Sequence, residues 1–274
     1  MTAPPTTDLR YKARRLRQYA ADLWHRREFA WFLALGNFKA RNASTTFGLF
    51  WWVLNPLLLS LVYFLIFGLL LGTRDLAYLM SGMFVFHFTA QSLTGGANSI
   101  LQNSKLLANI KFPRLILPLS SVLESGLGFV VSLGVLLVLA VPIAGSVPGP
   151  EIALLALVLP LQLLFNVGLG SLTARLAVPF RDINNLIPYI SRIWLYTSPI
   201  IWPLSFLETD IGRELAPWVT LNPMFSAISV YRTAMLGYPF DPQMLLMFTA
   251  WALAIFLLGV ALFVRYETKI VRYL

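Results

Sequence analysis

Residues 183–204 read INNLIPYISRIWLYTSPIIWPL, and residues 215–231 read LAPWVTLNPMFSAISVY. The first run is long enough to cross a bilayer, because about 30 Å of hydrocarbon takes about 20 residues at about 1.5 Å each. It holds one cation, Arg192, and leaves through Thr197-Ser198-Pro199 and Trp202-Pro203. The second run is shorter and is broken by Pro217 and by Asn222-Pro223. It reads as a re-entrant or interfacial helical hairpin rather than a full span. Ile183 to Asp241 therefore reads as one membrane wall followed by a segment that dips back without crossing.

The remaining sequence has the same character. Of 274 residues, 58% are hydrophobic and only 12% charged, with a mean hydropathy of +0.72. So little charge excludes a soluble domain and points to an all-α integral membrane protein. There is no cysteine, so no disulfide framework or thiolate metal site is available. His25 and His87 are too few and too far apart for a metal site. Five further segments qualify as spans, giving six in all: 47–72, 76–101, 115–143, 152–174, 183–204 and 242–264, with 205–241 as the re-entrant stretch. The first forty residues lack a short charged start followed directly by an apolar core, so no cleavable signal is expected.

Arg10 to Arg41 carries nine cations. Leu16, Ala20, Leu23, Trp24, Trp31, Ala34, Leu35 and Phe38 fall near one helical face, although Arg27 intrudes and Phe29 and Leu33 lie outside it. The pattern predicts an amphipathic helix or helix pair on the membrane surface, cations toward anionic headgroups. Residues 1–46 are thus assigned as a basic interfacial segment and 47–274 as the membrane domain. With the N-terminus inside, seventeen Lys and Arg fall in cytoplasmic segments, against Arg74, Arg213 and Arg232 on the other side. That bias predicts both termini cytoplasmic in a multi-pass plasma-membrane protein. It also explains the net charge of +9 as a membrane-flanking ring rather than a nucleic-acid surface.

The sequence contains no GxxxxGK[ST], HExxH or Gly-x-Ser-x-Gly motif, so no ATP, metal or acyl chemistry is assigned to this chain. Charges inside the spans reduce to Glu124 and Arg192, each nine positions into its span. Two readings stand side by side: a structural ion pair between spans three and five, or an Arg192 that meets an anionic group in a lumen. Tyr189, Trp194, Tyr196 and Trp202 march through the span beside Arg192, as packing aromatics or as rings for sugar faces. The loop Gln102–Arg114 predicts a short helix N-capped by Asn103 or Ser104 and ended by Pro113. It exposes Leu106, Leu107 and Ile110 among Lys105, Lys111 and Arg114, which suits docking to a partner or a plain basic loop. Arg181-Asp182 offers a second contact.

Trp24-His25-Arg26-Arg27-Glu28-Phe29, Phe38-Lys39-Ala40-Arg41, Phe47-Gly48, Trp51, Leu54 and Asn55-Pro56-Leu57 resemble the start of type-2 ABC exporter permeases. Asn103-Ser104-Lys105, Phe112-Pro113-Arg114, Leu117-Pro118-Leu119-Ser120, Phe180-Arg181-Asp182-Ile183, Ser198-Pro199-Ile200, Asn222-Pro223-Met224 and Tyr231-Arg232 continue the likeness in order. Within that family the chain is most similar to the Wzm-type polysaccharide exporters. The resemblance implies a homodimer with two copies of a separate P-loop ATPase that carries the ATP and Mg. The first and fifth spans would line a channel, which adds Tyr63 and Phe67 to Tyr189, Arg192, Trp194, Tyr196 and Trp202 as substrate-path candidates. Ser198, Pro199, Asn222, Pro223, Tyr231 and Arg232 become exit-gate candidates on periplasmic re-entrant helices. Lys105, Leu106, Leu107, Ile110, Lys111, Arg114, Arg181 and Asp182 become ATPase-coupling candidates. The implied cargo is a polyprenyl-diphosphate-linked glycan, with a galactan favoured by overall likeness. The alternatives are an exporter of a hydrophobic drug or lipid, and a membrane-bound transferase using the outer acids Asp75, Glu208, Asp210 and Asp241.

Overall fold

The computed structural model describes residues 18–41, 43–71, 75–145 and 149–270, and the regular elements within them are helical. Residues 18–25 are helical and end in a turn at Arg26. Then follow α1 (Arg27–Ala40), α2 (Trp51–Leu71), α3 (Leu76–Gln102), α4 (Ser104–Asn109), α5 (Ile116–Ala144), α6 (Leu155–Ala177), α7 (Ile183–Thr197), α8 (Asp210–Thr220), α9 (Pro223–Leu236) and α10 (Pro242–Ile270). Four stretches are long and apolar enough to cross a membrane: Gly48–Phe67, Ile116–Ala144, Pro150–Ala177 and Pro242–Glu267. The chain is an all-α membrane protein.

Helix α3 is the hub. It spans 27 residues, and its second half carries Gln91, Ser92, Thr94, Asn98, Ser99 and Gln102. A helix this polar can be buried because its hydroxyls bond back to its own carbonyls: Ser92 Oγ to Phe88 O (2.9 Å), Thr94 Oγ1 to Ala90 O (3.1 Å), Ser99 Oγ to Gly96 O (2.6 Å). Its apolar half holds the core. Phe88 stacks on Phe129 of α5 at 4.9 Å, and Phe86 meets Trp194 of α7 edge-on. Small residues let backbones approach. A Cβ on Gly96 would strike the backbone of Gly170, and one on Gly168 the backbone of Ile255, so α3, α6 and α10 stack tightly in that order.

Helix α2 contains Pro56, which has no N–H to give to the carbonyl of Trp52. Ser132 Oγ of α5 lies 2.9 Å from that carbonyl and can supply the missing donor. The Trp52 ring is buried where any side chain at position 128 would sit, so only glycine fits there. The start of α2 is therefore level with the middle of α5. The last turns of α3 and the first turns of α5 extend past it, toward the end of the bundle that carries Lys105, Lys111 and Arg114.

The structure shortens one expected span and adds detail to two other segments. The span at 183–204 is helical only through Thr197. Fifteen residues reach about 22 Å, less than a bilayer. Ser198, preceding Pro199, is extended (φ −96°, ψ 151°), because a residue before proline avoids the helical region. The second apolar run is two helices broken at Leu221-Asn222: an amphipathic α8 with Ile211, Leu215 and Trp218 exposed, and an α9 with nearly every side chain buried. Asn222 caps α9 by accepting from Met224 N (3.0 Å), Thr209 caps α8 and Asp75 caps α3, each stabilising by about 1 kcal/mol. Finally, α1 turns only part of its apolar face toward the bundle and leaves Trp31 exposed. Ala30, Ala34 and Phe38 are buried along the first turns of α5, with Phe29 against Phe112 at one end and Phe38 against Trp52 at the other. Trp24 and Phe32 face outward. The predicted helix pair exists at 18–25 and 27–40, and Arg10 through Arg17 lie outside the described residues.

Candidate functional site

Two clefts and one loop carry the polar chemistry. The first cleft, about 570 Å³, opens where α1 hands over to α2, and is lined by Arg41, Ser44, Thr45, Thr46, Phe47, Trp51, Trp52, Asn55, His87 and Gln91. Its one side wall comes from α3, whose His87 and Gln91 are four residues apart and so share a face. Arg41 is its cation. Arg41 Nη1 donates to Glu124 Oε1 of α5 at 3.1 Å, and Nη2 to Gln91 Oε1 at 2.8 Å. The guanidinium lies 4.9 Å from the Trp52 ring centroid. The Glu124 side chain is 11% exposed, against 39% for Arg41, so the acid sits behind the cation as seen from the cleft. Polar donors thus meet aromatic rings in one opening, which suits a ligand with an anionic group joined to an apolar one.

The second cleft, about 640 Å³, lies between the end of α7 and α8. Trp194, Tyr196, Trp202, Phe206 and Trp218 line it with Leu215, Val219 and Asn222. Asn222 organises it. Its Oδ1 accepts from Trp194 Nε1 (2.8 Å), and its Nδ2 donates to Ser198 Oγ (3.0 Å) and Thr197 O (3.2 Å). Trp202 Nε1 donates to Tyr196 O at 3.1 Å. Tyr196 OH lies 3.2 Å from Tyr63 OH of α2, whose ring stacks on Phe67. Aromatic faces of this kind pack on C–H faces, while their hydroxyls and N–H groups answer hydroxyls.

The loop after α3 forms the six-residue α4, which Asn103 precedes without capping it, its Nδ2 donating instead to Ser99 O at 2.8 Å. Lys105, Ile110 and Lys111 are exposed, as are Arg181 and Asp182 in the next loop. Leu106 and Leu107 are half-buried against the cluster of Ile100, Leu115 and Phe263, on which Tyr19, Leu23 and Leu33 also pack. The loop's end is tied to α10: Arg114 N donates to Glu267 Oε1 at 2.7 Å, and Arg114 Nη1 bonds Glu267 O. Tyr19 OH accepts from Leu115 N (3.4 Å), and burial together with the nearby Glu267 carboxylate pushes its phenol well above the ordinary range.

No family model matches the chain. The chain is 32% identical over 197 residues to the O-antigen export system permease protein RfbA of Myxococcus xanthus, covering 71% of this chain and 75% of that one. A Klebsiella pneumoniae protein of the same name is 29% identical over 202 residues, covering 71% and 74%. The chain belongs to this family, the type-2 ABC permeases of polysaccharide export. It is a transport subunit rather than an enzyme.

The permease gathers some of the residues predicted from sequence and scatters others. Tyr63, Phe67, Trp194, Tyr196, Ser198, Trp202, Asn222 and Pro223 converge on or beside the tryptophan cleft. Tyr189 and Arg192 lie exposed one to two turns before Tyr196 on the same face of α7, outside the lining of the cleft but with Arg192 in electrostatic reach of Tyr63. Pro199 is buried in the turn after α7. Tyr231 and Arg232 are buried inside the bundle instead of lining an opening; Arg232 packs 3.3 Å over the Tyr78 ring. The weighed pairing of Glu124 with Arg192 is replaced by Glu124 with Arg41, because α1 runs beside α5 and α7 does not. Arg114 is engaged by Glu267 rather than free for a partner. Three of the four acids of the transferase reading serve locally: Asp75 caps α3, Asp241 accepts from Gln243 N, and Asp210 pairs with Arg213. Sequence reading missed the Arg41 cleft altogether. Its signal was present, in a polar run at Ser44–Thr46 wedged between two apolar helices, and in His87 and Gln91 at helical spacing.

Proposed function

We propose that this permease exports a polysaccharide carried on a polyprenyl diphosphate, a galactan by overall likeness, from the cytoplasm to the outer face of the plasma membrane. The observation that carries this reading is the Arg41 cleft. One guanidinium, three hydroxyls and two amides face a space walled by Phe47, Trp51 and Trp52, which matches a diphosphate joined to a prenyl chain. In this reading the cleft loads the headgroup from the inner leaflet, and the tryptophan cleft receives sugar at the exit. Asn222 and Ser198 set the geometry of that exit, under re-entrant gate helices within 205–241.

Six spans per subunit, both termini inside, and a homodimer complete the proposal. The exposed face of α7, with Leu186, Tyr189, Ile190, Arg192, Ile193 and Tyr196, is where a second copy would close the channel. A separate P-loop ATPase, two copies per dimer, supplies ATP and Mg and docks beneath Lys105, Ile110, Lys111, Arg181 and Asp182.

Depletion of the permease tests the function. Radiolabelled lipid-linked glycan should accumulate on the cytoplasmic side, and complementation by Arg41→Gln should restore less than a tenth of the outward flux. Normal arrival of labelled glycan at the outer face after depletion would overturn the reading.

A further inference from the structure

We propose that Glu124 is a built-in counter-charge that keeps the Arg41 cleft's hold on a phosphate group weak enough to release. The inference rests on the reading of that cleft as a diphosphate site.

Among the described residues, ion pairs reduce to Arg41 with Glu124 and Arg213 with Asp210. The second is a solvated pair on α8. The first is different in kind. Glu124 is the one acid inside α5, and it approaches the one cation that lines the cleft, from the side away from the opening. Arg41 has five N–H donors. One goes to Glu124 and one to Gln91, which leaves donors on the 39%-exposed edge that faces the cleft. A phosphate can therefore bond to Arg41 while Glu124 stays in place.

Two consequences follow from charge alone. With Glu124 ionised, the pair is neutral, so the empty cleft does not hold an unpaired cation in apolar surroundings. When a phosphate enters, it meets a guanidinium already shared with a carboxylate, and it is repelled by that carboxylate a few ångströms behind. Affinity comes from hydrogen bonds and the aromatic walls rather than from net charge. For a cargo that must leave the same site in each cycle, this balance favours turnover over retention.

Glu124→Gln keeps the shape and an oxygen that can accept from Arg41, and removes the charge. The test uses the permease with its ATPase in nanodiscs and reads quenching of the cleft tryptophans, with geranylgeranyl diphosphate as the probe. Inorganic diphosphate serves as the soluble source of the same group. Glu124→Gln is expected to bind the prenyl diphosphate about tenfold tighter, the scale of one screened like-charge repulsion, and to export glycan several-fold more slowly. Inorganic diphosphate should gain affinity in the same variant but bind more weakly in absolute terms, since it lacks the chain that meets the aromatic wall. Arg41→Gln should lose binding in either background.

If Glu124→Gln binds no tighter while Arg41→Gln abolishes binding, the counter-charge role is wrong and the diphosphate cleft stands. If Arg41→Gln binds as wild type, the cleft reading itself fails. A thermal melt of each variant within a few degrees of wild type shows that binding is compared between folded proteins. If Glu124→Gln unfolds, Glu124→Asp, which withdraws the charge by one methylene, should still tighten binding, and weaker binding there overturns the proposal.

Discussion

At the scale of single residues, the fate of Arg232 shows what long-range packing does to a motif. Tyr231-Arg232 ends an apolar run and reads as part of an exit gate. In the fold, the guanidinium is buried without a carboxylate. It stacks on Tyr78 at 3.3 Å, donates from Nε to Ser81 Oγ (3.2 Å) and from Nη2 to Tyr78 O (3.0 Å), and leaves Nη1 without a partner. Tyr78 in turn donates its hydroxyl to Trp202 O at 3.0 Å, so one stacked pair joins α9, α3 and the turn after α7. A planar fork is needed, because a compact ammonium cannot lie flat on the Tyr78 ring while its donors span both Ser81 Oγ and Tyr78 O. Arg232→Lys is expected to destabilise by about 2–4 kcal/mol, as for a buried charge that loses its partners. Tyr78→Phe keeps the ring and should lose only about 1 kcal/mol for the hydroxyl bond. Thermal unfolding of the detergent-solubilised protein should rank wild type, Tyr78→Phe, then Arg232→Lys. Equal losses would mean that the stack contributes nothing. The partners lie about 150 positions away in the chain, and no local pattern points to them. Asn222, by contrast, was legible because Asn-Pro at a helix start is a local signal, and its contact with Trp194 spans only 28 positions.

At the scale of elements, hydropathy named four long apolar helices correctly because their apolar length has one physical meaning, and it overextended the run at 183–204, where the turn before Pro199 ends the helix. Where an element's apolar face can meet either lipid or protein, composition does not choose. The aromatic and alanine stripe of α1 fits a membrane surface, yet Ala30, Ala34 and Phe38 are small or flat enough to lie along α5. The same ambiguity hides the leucines of α4. Leu106 and Leu107 turn inward, and the loop is held instead by a carboxylate 153 positions away. Glu267 accepts the backbone N–H of Arg114, a charge-assisted bond that fixes the loop's exit to the end of α10. Glu267→Ala should free this joint without disturbing the core. Amide exchange at Arg114 and Leu115 is expected to speed up about tenfold or more, the effect of losing about 1.5 kcal/mol of local protection, while exchange in the middle of α5 stays unchanged. Unchanged exchange at both amides would show that the loop is held by Tyr19 and the leucine contacts instead.

At the scale of the whole molecule, the distribution of charge makes the most demanding prediction. Lys105, Lys111, Arg114, Arg175 and Arg181 gather at one end of the bundle, and Asp75, Glu151, Glu208 and Asp210 at the other. Cations near span ends hold their side of the membrane in the cytoplasm, and acids weigh little in that choice. The chain lacks cysteine, so single cysteines report on sidedness without a background. Lys111→Cys and Arg181→Cys lie in exposed loops at the basic end, and Ser205→Cys and Glu208→Cys are exposed at the other. In intact cells a membrane-impermeant maleimide should label positions 205 and 208 and spare 111 and 181, which should react only after permeabilisation. The comparison of 181 with 205 matters most, because only α7 separates them and its helix is shorter than a bilayer is thick. Opposite labelling requires the turn through Ser198, Pro199 and Trp202 to complete the crossing that fifteen helical residues begin. Labelling of both from outside would make α7 a dead end in the membrane. It would leave an odd number of crossings and would remove the basis for placing the tryptophan cleft at an exit.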